Sequence, residues 1–414
     1  MFEAHLNERE SRIEWPLWVA IAGLMLMGSA FIFSATSTNE TISLWQRFRD
    51  STWESFLTWL IPKAYSKQVI AYGLGLFLAA AVCLVDYHRL ARWSLVIYWF
   101  SILLLVLVLF IGVGAKSWGA KRWLDLGFFN FQPSEFAKLA FLLALANSLS
   151  RPVEELRLPG VFFKMLAMGA LPFLLILKEP DLGSALVLLP IALVMMFVAG
   201  VPPIFLKRLV GGAGALLVLL LADILFAPMK WQPLEEYQRD RLLVYFGRDF
   251  APPNGTDEER KSAFKRQRDR SRNIEQALIS VGSGGLIGKG WGRGTQNALG
   301  YLPSAVAHND FIFSVIAEEK GFLGSVIVLT LYTVILFTGI KIAGQTRHRL
   351  GRLLAVGVVT MLFSHVFINI GMNIRLMPVT GIPLPLLSYG GTSVLCSLIA
   401  IGILQNVYIY RRSY

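Results

Sequence analysis

The sequence predicts an all-α polytopic membrane protein of about ten transmembrane helices. Three observations predict it. Hydrophobic residues fill 55% of the 414 positions and charged residues only 16%, where an ordinary soluble domain carries about 25% charged residues. Mean hydropathy is +0.56. The apolar residues also gather into runs of the length, about 20 residues, that crosses about 30 Å of hydrocarbon. A chain this poor in polar side chains cannot coat a soluble surface. That excludes an ordinary cytosolic enzyme, a disordered chain and a collagen-like fibre.

The runs fall at 16–36, 68–86, 94–114, 133–149, 160–177, 182–199, 209–226, 322–341, 353–371 and 386–409. The fourth is the weakest, because it contains Glu135 and Lys138. The first does not read as a signal peptide: Glu3, Glu8, Glu10 and Glu14 precede it and no small-x-small cleavage site follows. An even number of spans puts both termini on one side. Basic residues favour that side as the cytoplasm, through Arg9, Arg12, Arg89, Arg92, Lys207, Arg208, Arg347 and Arg349 among others. The chain is thus expected to be one integral membrane domain, 1–414, of the cytoplasmic membrane, with a large outer loop at 227–310. The net charge of +12 then reflects topology and anionic headgroups rather than nucleic acid. Cys83 and Cys396 lie inside apolar runs, which argues against a disulfide framework or a Cys-based metal site.

The outer loops are the long, Gly/Pro-rich and charged ones. Segment 42–62 interleaves Trp45, Phe48, Trp53, Phe56 and Trp59 with Arg47, Arg49, Asp50 and Glu54, the pattern of an interfacial amphipathic helix or an aromatic belt. In the long loop, 231–250 is mixed and reads as part helical. The polar, basic stretch 251–273 has too few apolar residues to bury a core and reads as flexible, facing solvent or headgroups. The stretch 276–296 is glycine-rich. It fails as a phosphate-binding P-loop, because Gly288-Lys289 is followed by Gly290 and no strand precedes it. Two readings stay open there: a backbone cradle for a pyrophosphate, with Lys289 and Arg293 adding charge, or plain loop flexibility.

Ionisable residues at membrane depth cost roughly 2.5–3.5 kcal/mol each on insertion scales, so those that persist are functional candidates. Four clusters stand out. In GAKRWLDLGFFNFQPSEFAKLA (119–140), Pro133 suits a first helical turn, and Glu135 shares a face with Lys138. The pair is either functional or an intrahelical ion pair that eases insertion. Arg122 is a separate cation. In KEPDLGSA (178–185), Asp181 is either a site carboxylate or a helix cap. In LGYLPSAVAHNDFIFSVIAEEKGFLGS (299–325), Asp310 stands where a polar loop meets an apolar segment. Such surroundings favour a base with a raised pKa, and the alternative is an N-cap. His308 is either its partner or a surface histidine. In NIGMNIRLMPVTGIPLPLLSYGGTS (369–393), three prolines and several glycines predict a re-entrant or broken segment. Non-helical backbone at that depth marks a cavity wall.

Through GAKRW, FQPSEFAKLA, EPDLGSA, GSGGLIGKGWGRGTQ, HNDFIFSVIAEEKGFLG and MPVTGIPLPLLSYGGTS, the chain resembles the SEDS family of bacterial membrane proteins, its RodA branch more than its FtsW and SpoVE branches. The matching stretches run in the family's order from 119 to 393. The resemblance implies a peptidoglycan glycosyltransferase that polymerises lipid II at the outer face of the cytoplasmic membrane. It carries Asp310 over as the catalytic carboxylate. Arg122, Glu135, Lys138 and Asp181 take the places of the charged residues in the family's motifs, and together with Lys289, Arg293 and Ser388 they are the expected substrate-binding residues. Asp310 is expected to act as general base on the acceptor hydroxyl while cations, with or without a divalent metal (Mg or Mn), neutralise the leaving undecaprenyl pyrophosphate. The implied partner is a class B penicillin-binding transpeptidase. This chain has HND where the family has HTD, Lys320 where an apolar residue is usual, and a longer basic stretch at 251–273. Two rival readings use the same charges: a flippase for lipid-linked precursors, and a non-enzymatic scaffold.

Overall fold

The computed structural model of the protein describes residues 13–37, 63–114, 121–125, 127, 130–226, 236–247, 257–299, 301 and 307–411. The interfacial helix expected at 42–62 lies outside them. Helices dominate: α1 (Trp15–Ser37), α2 (Ala64–Leu84), α3 (Tyr87–Arg92), α4 (Ser94–Ile111), α5 (Pro133–Leu149), α6 (Val153–Leu156), α7 (Pro159–Lys178), α8 (Leu182–Ala199), α9 (Pro203–Phe226), α10 (Glu236–Phe246), α11 (Asp257–Ser283), α12 (Thr295–Ala298), α13 (Ile312–Gln345), α14 (Arg349–Asn373) and α15 (Gly391–Ile409). A two-residue antiparallel ribbon, β1 (Leu124–Asp125) with β2 (Asn130–Phe131), leads into α5.

Eight helices, α1, α2, α4, α7, α8, α13, α14 and α15, are long and apolar enough to cross a membrane. The molecule is a polytopic all-α membrane protein. The other two expected spans are helices as well: α5, of 17 residues, and α9, of 24. Helices α5, α14 and α15 form the centre, with α14 and α15 buried over 72% and 83% of their apolar windows. Helices α2, α4 and α7 are at the periphery and expose Phe77, Trp99 and Phe163, as a lipid-facing surface requires.

Local chemistry explains the element ends. Pro133 and Pro159 open α5 and α7, where no amide hydrogen is needed. Asp86 and Asp181 cap α3 and α8 by accepting from the amides of His88 (2.9 Å) and Ser184 (3.1 Å). The α8 C-terminus closes on Gly200 with a left-handed φ of 84°. At the end of the bundle remote from Asp310, the Arg349 guanidinium donates to the last carbonyls of α5 (Leu149) and α8 (Ala199), and so fastens α14 to both.

Three expectations need correction. The span expected at 322–341 is the second part of α13, which starts at Ile312 and bends at Gly321 (φ 62°, ψ −156°). The segment IFSVIAEEK is therefore already helical. The bend exists because the loop 285–290 docks there: Phe322 and Leu323 donate to the carbonyls of Gly285 (2.8 Å) and Leu286 (3.1 Å), and Lys289 and Gly290 to those of Glu318 and Glu319 (both 3.0 Å). A Cβ at Gly321 would stand 2.4 Å from the Gly288 nitrogen. The last span, expected from 386, starts only at Gly391. Finally, 257–273 is not flexible but forms the first part of α11. Its Lys, Arg, Gln and Glu residues are good helix formers, its first turn is acidic, and Ala263 is buried with Leu243 and Val244 of α10. A small apolar face sufficed.

Candidate active site

Two polar clusters meet near one end of the bundle. The first is built on α5. Lys138 Nζ donates to Glu135 Oε1 at 2.7 Å, with side chains 0% and 4% exposed. The intrahelical pair expected from the i, i+3 spacing is present. It is not alone: Lys138 Nζ also lies 2.7 Å from His365 Nε2 of α14. The other ring nitrogen, Nδ1, is 2.8 Å from the Met361 carbonyl. A carbonyl accepts only from N–H, so Nδ1 carries the hydrogen and Nε2 offers its lone pair to the ammonium. The result is a buried Glu–Lys–His chain across two central helices.

Asp181 sits close by and is buried. Its cap bond to Ser184 uses Oδ1, while Oδ2 accepts from Gln132 Nε2 (3.0 Å) and Ser134 Oγ (3.2 Å) at the start of α5. The cap reading is thus realised, and the same carboxylate ties α8 to α5. Burial would raise the Asp181 carboxyl, but the Arg122 charge, the Ser184 amide and Lys138 outweigh it and hold the group below its usual range. Arg122 is half-buried. It donates through Nε to the Glu179 carbonyl (3.1 Å) and through Nη2 to that of Pro180, clamping the α7–α8 turn. Between these groups lies Glu179, 1% exposed, neither of whose carboxyl oxygens has a hydrogen-bond partner among the described residues. Burial, then the neighbouring Asp181 charge, against the pull of Arg122, pushes it up to about 9.

The second cluster holds Asp310. Phe311, not Asp310, is the N-cap residue of α13, and it makes no side-chain cap bond. The Asp310 carbonyl instead accepts from Asn369 Nδ2 (3.0 Å) and Asn373 Nδ2 (3.2 Å) of α14. Asn369 also donates to the Ile382 carbonyl (2.6 Å), and Ser314 Oγ to Asn373 Oδ1 (2.5 Å). His365, Asn369 and Asn373 stand four residues apart and form one buried polar stripe on α14. That stripe joins the Lys138 cluster to the Asp310 loop and leaves the Asp310 side chain half-exposed. None of the three was singled out from the sequence. The signal was there, as polar residues at helical spacing in an apolar span.

The broken segment predicted at 369–393 is irregular from 374 to 390. Side chains cover its carbonyls, as membrane depth demands: Tyr72 Oη donates to Leu386 (2.6 Å), Tyr332 Oη to Pro385 (2.5 Å) and Gln68 Nε2 to Ser388 (3.0 Å). Ser388 Oγ accepts from the Leu384 amide at 2.8 Å inside this segment. Tyr389 N–H donates to the His308 carbonyl at 2.8 Å, which brings the segment against the Asp310 loop.

Lys289 and Arg293 are placed differently from the others. Lys289 Nζ pairs with Glu318 Oε1 (2.7 Å) and donates to Thr295 Oγ1 (2.7 Å). Glu318 Oε1 also accepts from the Gln296 amide, while Glu319 accepts from Ser34 Oγ (2.6 Å) and the Gly292 amide (3.0 Å). The glycine-rich loop is pinned to the α13 bend, and Arg293 is exposed on it. Among the described residues, no three His, Cys, Asp or Glu side chains come together as a metal cage.

A polytopic α-bundle with a buried ionic chain beside a half-exposed carboxylate defines a class of membrane-embedded site. The sequence places it more finely. The profile of the FtsW, RodA and SpoVE family, described as cell cycle protein, matches residues 15–413, and the chain belongs to that family. It is 36% identical over 349 residues to the peptidoglycan glycosyltransferase MrdB of Escherichia coli K12, covering 84% of this chain and 86% of that one. It is 32% identical over 407 residues to a probable peptidoglycan glycosyltransferase FtsW of Geobacter metallireducens, covering 98% and 97%. Among solved structures it resembles a chain from work titled "Structural coordination of polymerization and crosslinking by a peptidoglycan synthase complex", with a TM-score of 0.71, 29% identity and coverage of 97% and 99%.

Proposed function

We propose that the protein is a peptidoglycan glycosyltransferase. It polymerises lipid II at the outer face of a bacterial cytoplasmic membrane, with both termini cytoplasmic, in the manner of the RodA branch. The observation that carries the reading is Asp310, half-buried and held by its backbone carbonyl at the end of the buried α14 stripe, in a family whose relatives bear that activity in their names. The higher identity with MrdB than with FtsW favours the RodA branch over the FtsW branch, while a stage V sporulation protein E matches at the same 36% as MrdB.

Asp310 takes the proton of the acceptor sugar hydroxyl. The freed oxygen attacks the anomeric carbon of the lipid-linked glycan, the glycosidic bond forms, and undecaprenyl pyrophosphate departs with the bonding pair. Clamping the Asp310 backbone through two asparagine amides fixes where the base stands, which is the positional half of such catalysis. Of the candidate cations, Arg293 is exposed and Arg122 is half-buried with two of its nitrogens on backbone carbonyls, and these two are left to answer the developing pyrophosphate charge. Lys138 is fully buried and acts through its field on the carboxylates around it. Lys289 is neutralised by Glu318. The similarity to a chain of a complex for polymerisation and crosslinking supports a transpeptidase of the class B penicillin-binding type as partner.

The test is Asp310→Asn and Asp310→Ala in purified protein with lipid II. Glycan product is expected to fall by a factor of about 100 or more. Polymerisation at the wild-type rate in normally folded variants defeats the assignment. Translocation of lipid II without product in the wild type turns it toward a flippase.

A further inference from the structure

The end of α14 next to the Asp310 loop closes in a Schellman turn. Leu376 N–H donates to the Gly371 carbonyl (2.7 Å), and Arg375 N–H to that of Met372 (3.2 Å). This turn needs one left-handed residue, a place usually filled by glycine. Here Arg375 fills it, at φ 59°. A residue with a Cβ is strained there, and glycine would serve the turn better. Backbone geometry therefore does not explain the arginine. Such an outlier is a reason to look for function.

A groove lies beside it. Arg375, Met377 and Pro378 line one side of it, and Tyr245 of α10 with Gln267, Ser271 and Glu275 of α11 line the other. Tyr245 Oη donates to the Leu376 carbonyl at 3.0 Å, so the walls are tied to the strained turn itself. Arg375 lines the groove and is exposed. Among the described lining residues the one acid is Glu275. Asn373, two residues before Arg375, holds the Asp310 carbonyl. The groove is thus joined through the α14 end to the loop that carries Asp310, and Arg375 is the cation among its lining residues.

We propose that this groove seats an anionic group of the lipid-linked saccharide, a carboxylate of its peptide or a phosphate of its lipid link, with the Arg375 guanidinium as the gripping residue. The inference rests on the glycosyltransferase reading and names the subsite where the substrate's charge is held. A planar guanidinium offers two parallel N–H donors to either group, which a lysine ammonium does not.

The test uses detergent-purified full-length protein and two probes: lipid II, and lipid II with its peptide carboxyls amidated. Affinity is measured for wild type, Arg375→Gly, Arg375→Asn and Arg375→Lys. Glycine and asparagine both accept a left-handed φ, so the two neutral variants keep the turn and melt at or above the wild-type temperature. For lipid II they are expected to lose affinity about tenfold, the worth of one charge-assisted hydrogen bond. Lysine recovers part of it. If amidation erases the difference between wild type and Arg375→Gly, the seated group is the carboxylate. If the tenfold loss persists with the amidated probe, it is the phosphate. Equal affinity of wild type and both neutral variants for both probes overturns the proposal. Because binding is read without turnover, a wild type that binds but makes no glycan breaks the glycosyltransferase reading and still leaves the variants to judge the groove.

Discussion

Two lysine–glutamate pairs in this molecule share a 2.7 Å contact and little else. Lys138–Glu135 lies within one helix turn, and its side chains are 0% and 4% exposed. Lys289–Glu318 joins a loop to a helix bend, and its lysine is 28% exposed. In the second pair, every acceptor position of Glu318 in use binds the same loop, through Lys289, Thr295 and the Gln296 amide. It works as a strut. The first pair passes its contact on to His365, and its lysine charge reaches Asp181. Two central helices and a cap are thereby placed in one electrostatic unit, far from water. A buried charge pair is weak evidence for stability, because desolvation offsets attraction. The difference therefore points to chemistry in the first case and to architecture in the second.

The largest effect is expected at Lys138. Lys138→Met strands Glu135 in the core, with a stability loss of about 3–5 kcal/mol and a fall in glycan synthesis of about 100-fold or more. Thermal melting and lipid II polymerisation read the two. Adding Glu135→Leu is expected to restore melting but not synthesis. Synthesis restored along with melting would reduce the first pair to a strut like the second. Next comes Gly321→Ala, which forces a Cβ against the docked loop at 2.4 Å and is expected to cost about 1–3 kcal/mol, seen as a lower melting temperature. Glu318→Gln keeps two neutral hydrogen bonds and loses the charge. A loss of about 1–2 kcal/mol is expected, with synthesis reduced less than by Lys138→Met. A larger loss of synthesis than at Lys138 would invert the comparison.

Glu179 supplies a control that is read against pH, being a buried carboxyl with no lysine against it. Its value is raised in the folded state, from 4.5 to about 9, mainly by burial. The stability it permits is therefore complete below about pH 4.5 and drains away as pH rises toward 9. Glu179→Gln is expected to melt close to wild type at pH 5 and above it at pH 8. A variant that melts lower at pH 8 would mean that the carboxylate is charged and paired.

Much of this was legible in the sequence. Hydropathy runs gave the fold class, and the i, i+3 spacing gave the Glu135–Lys138 pair, because both partners lie within one helix. His365 was not legible as the third member, since its contact depends on how α14 packs on α5. The glycines of 276–296 left a phosphate cradle and plain loop flexibility both open for the same reason. Their partner, the bend at Gly321, lies some thirty residues away, and the glycines are there to let two backbones touch. The basic start of α11 was misread because a polar composition says nothing against a helix that needs only one buried alanine to seat it. Asp310 stood out through its apolar neighbours, whereas its clamp belongs to α14.

The broken segment 374–390 also has a consequence for how the protein is made. Its carbonyls are satisfied by Gln68 and Tyr72, which enter the membrane with α2, and by Tyr332 of α13. The Asn406 amide of α15 reaches back to the carbonyls of Val82 and Val85 at the end of α2. During synthesis α2 is present, with Gln68 lacking its acceptor, until more than three hundred further residues have emerged. The second span and the last mate across almost the whole chain. Such long-range closure is the slow part of folding, so the site stays unassembled until the C-terminal helix is in place.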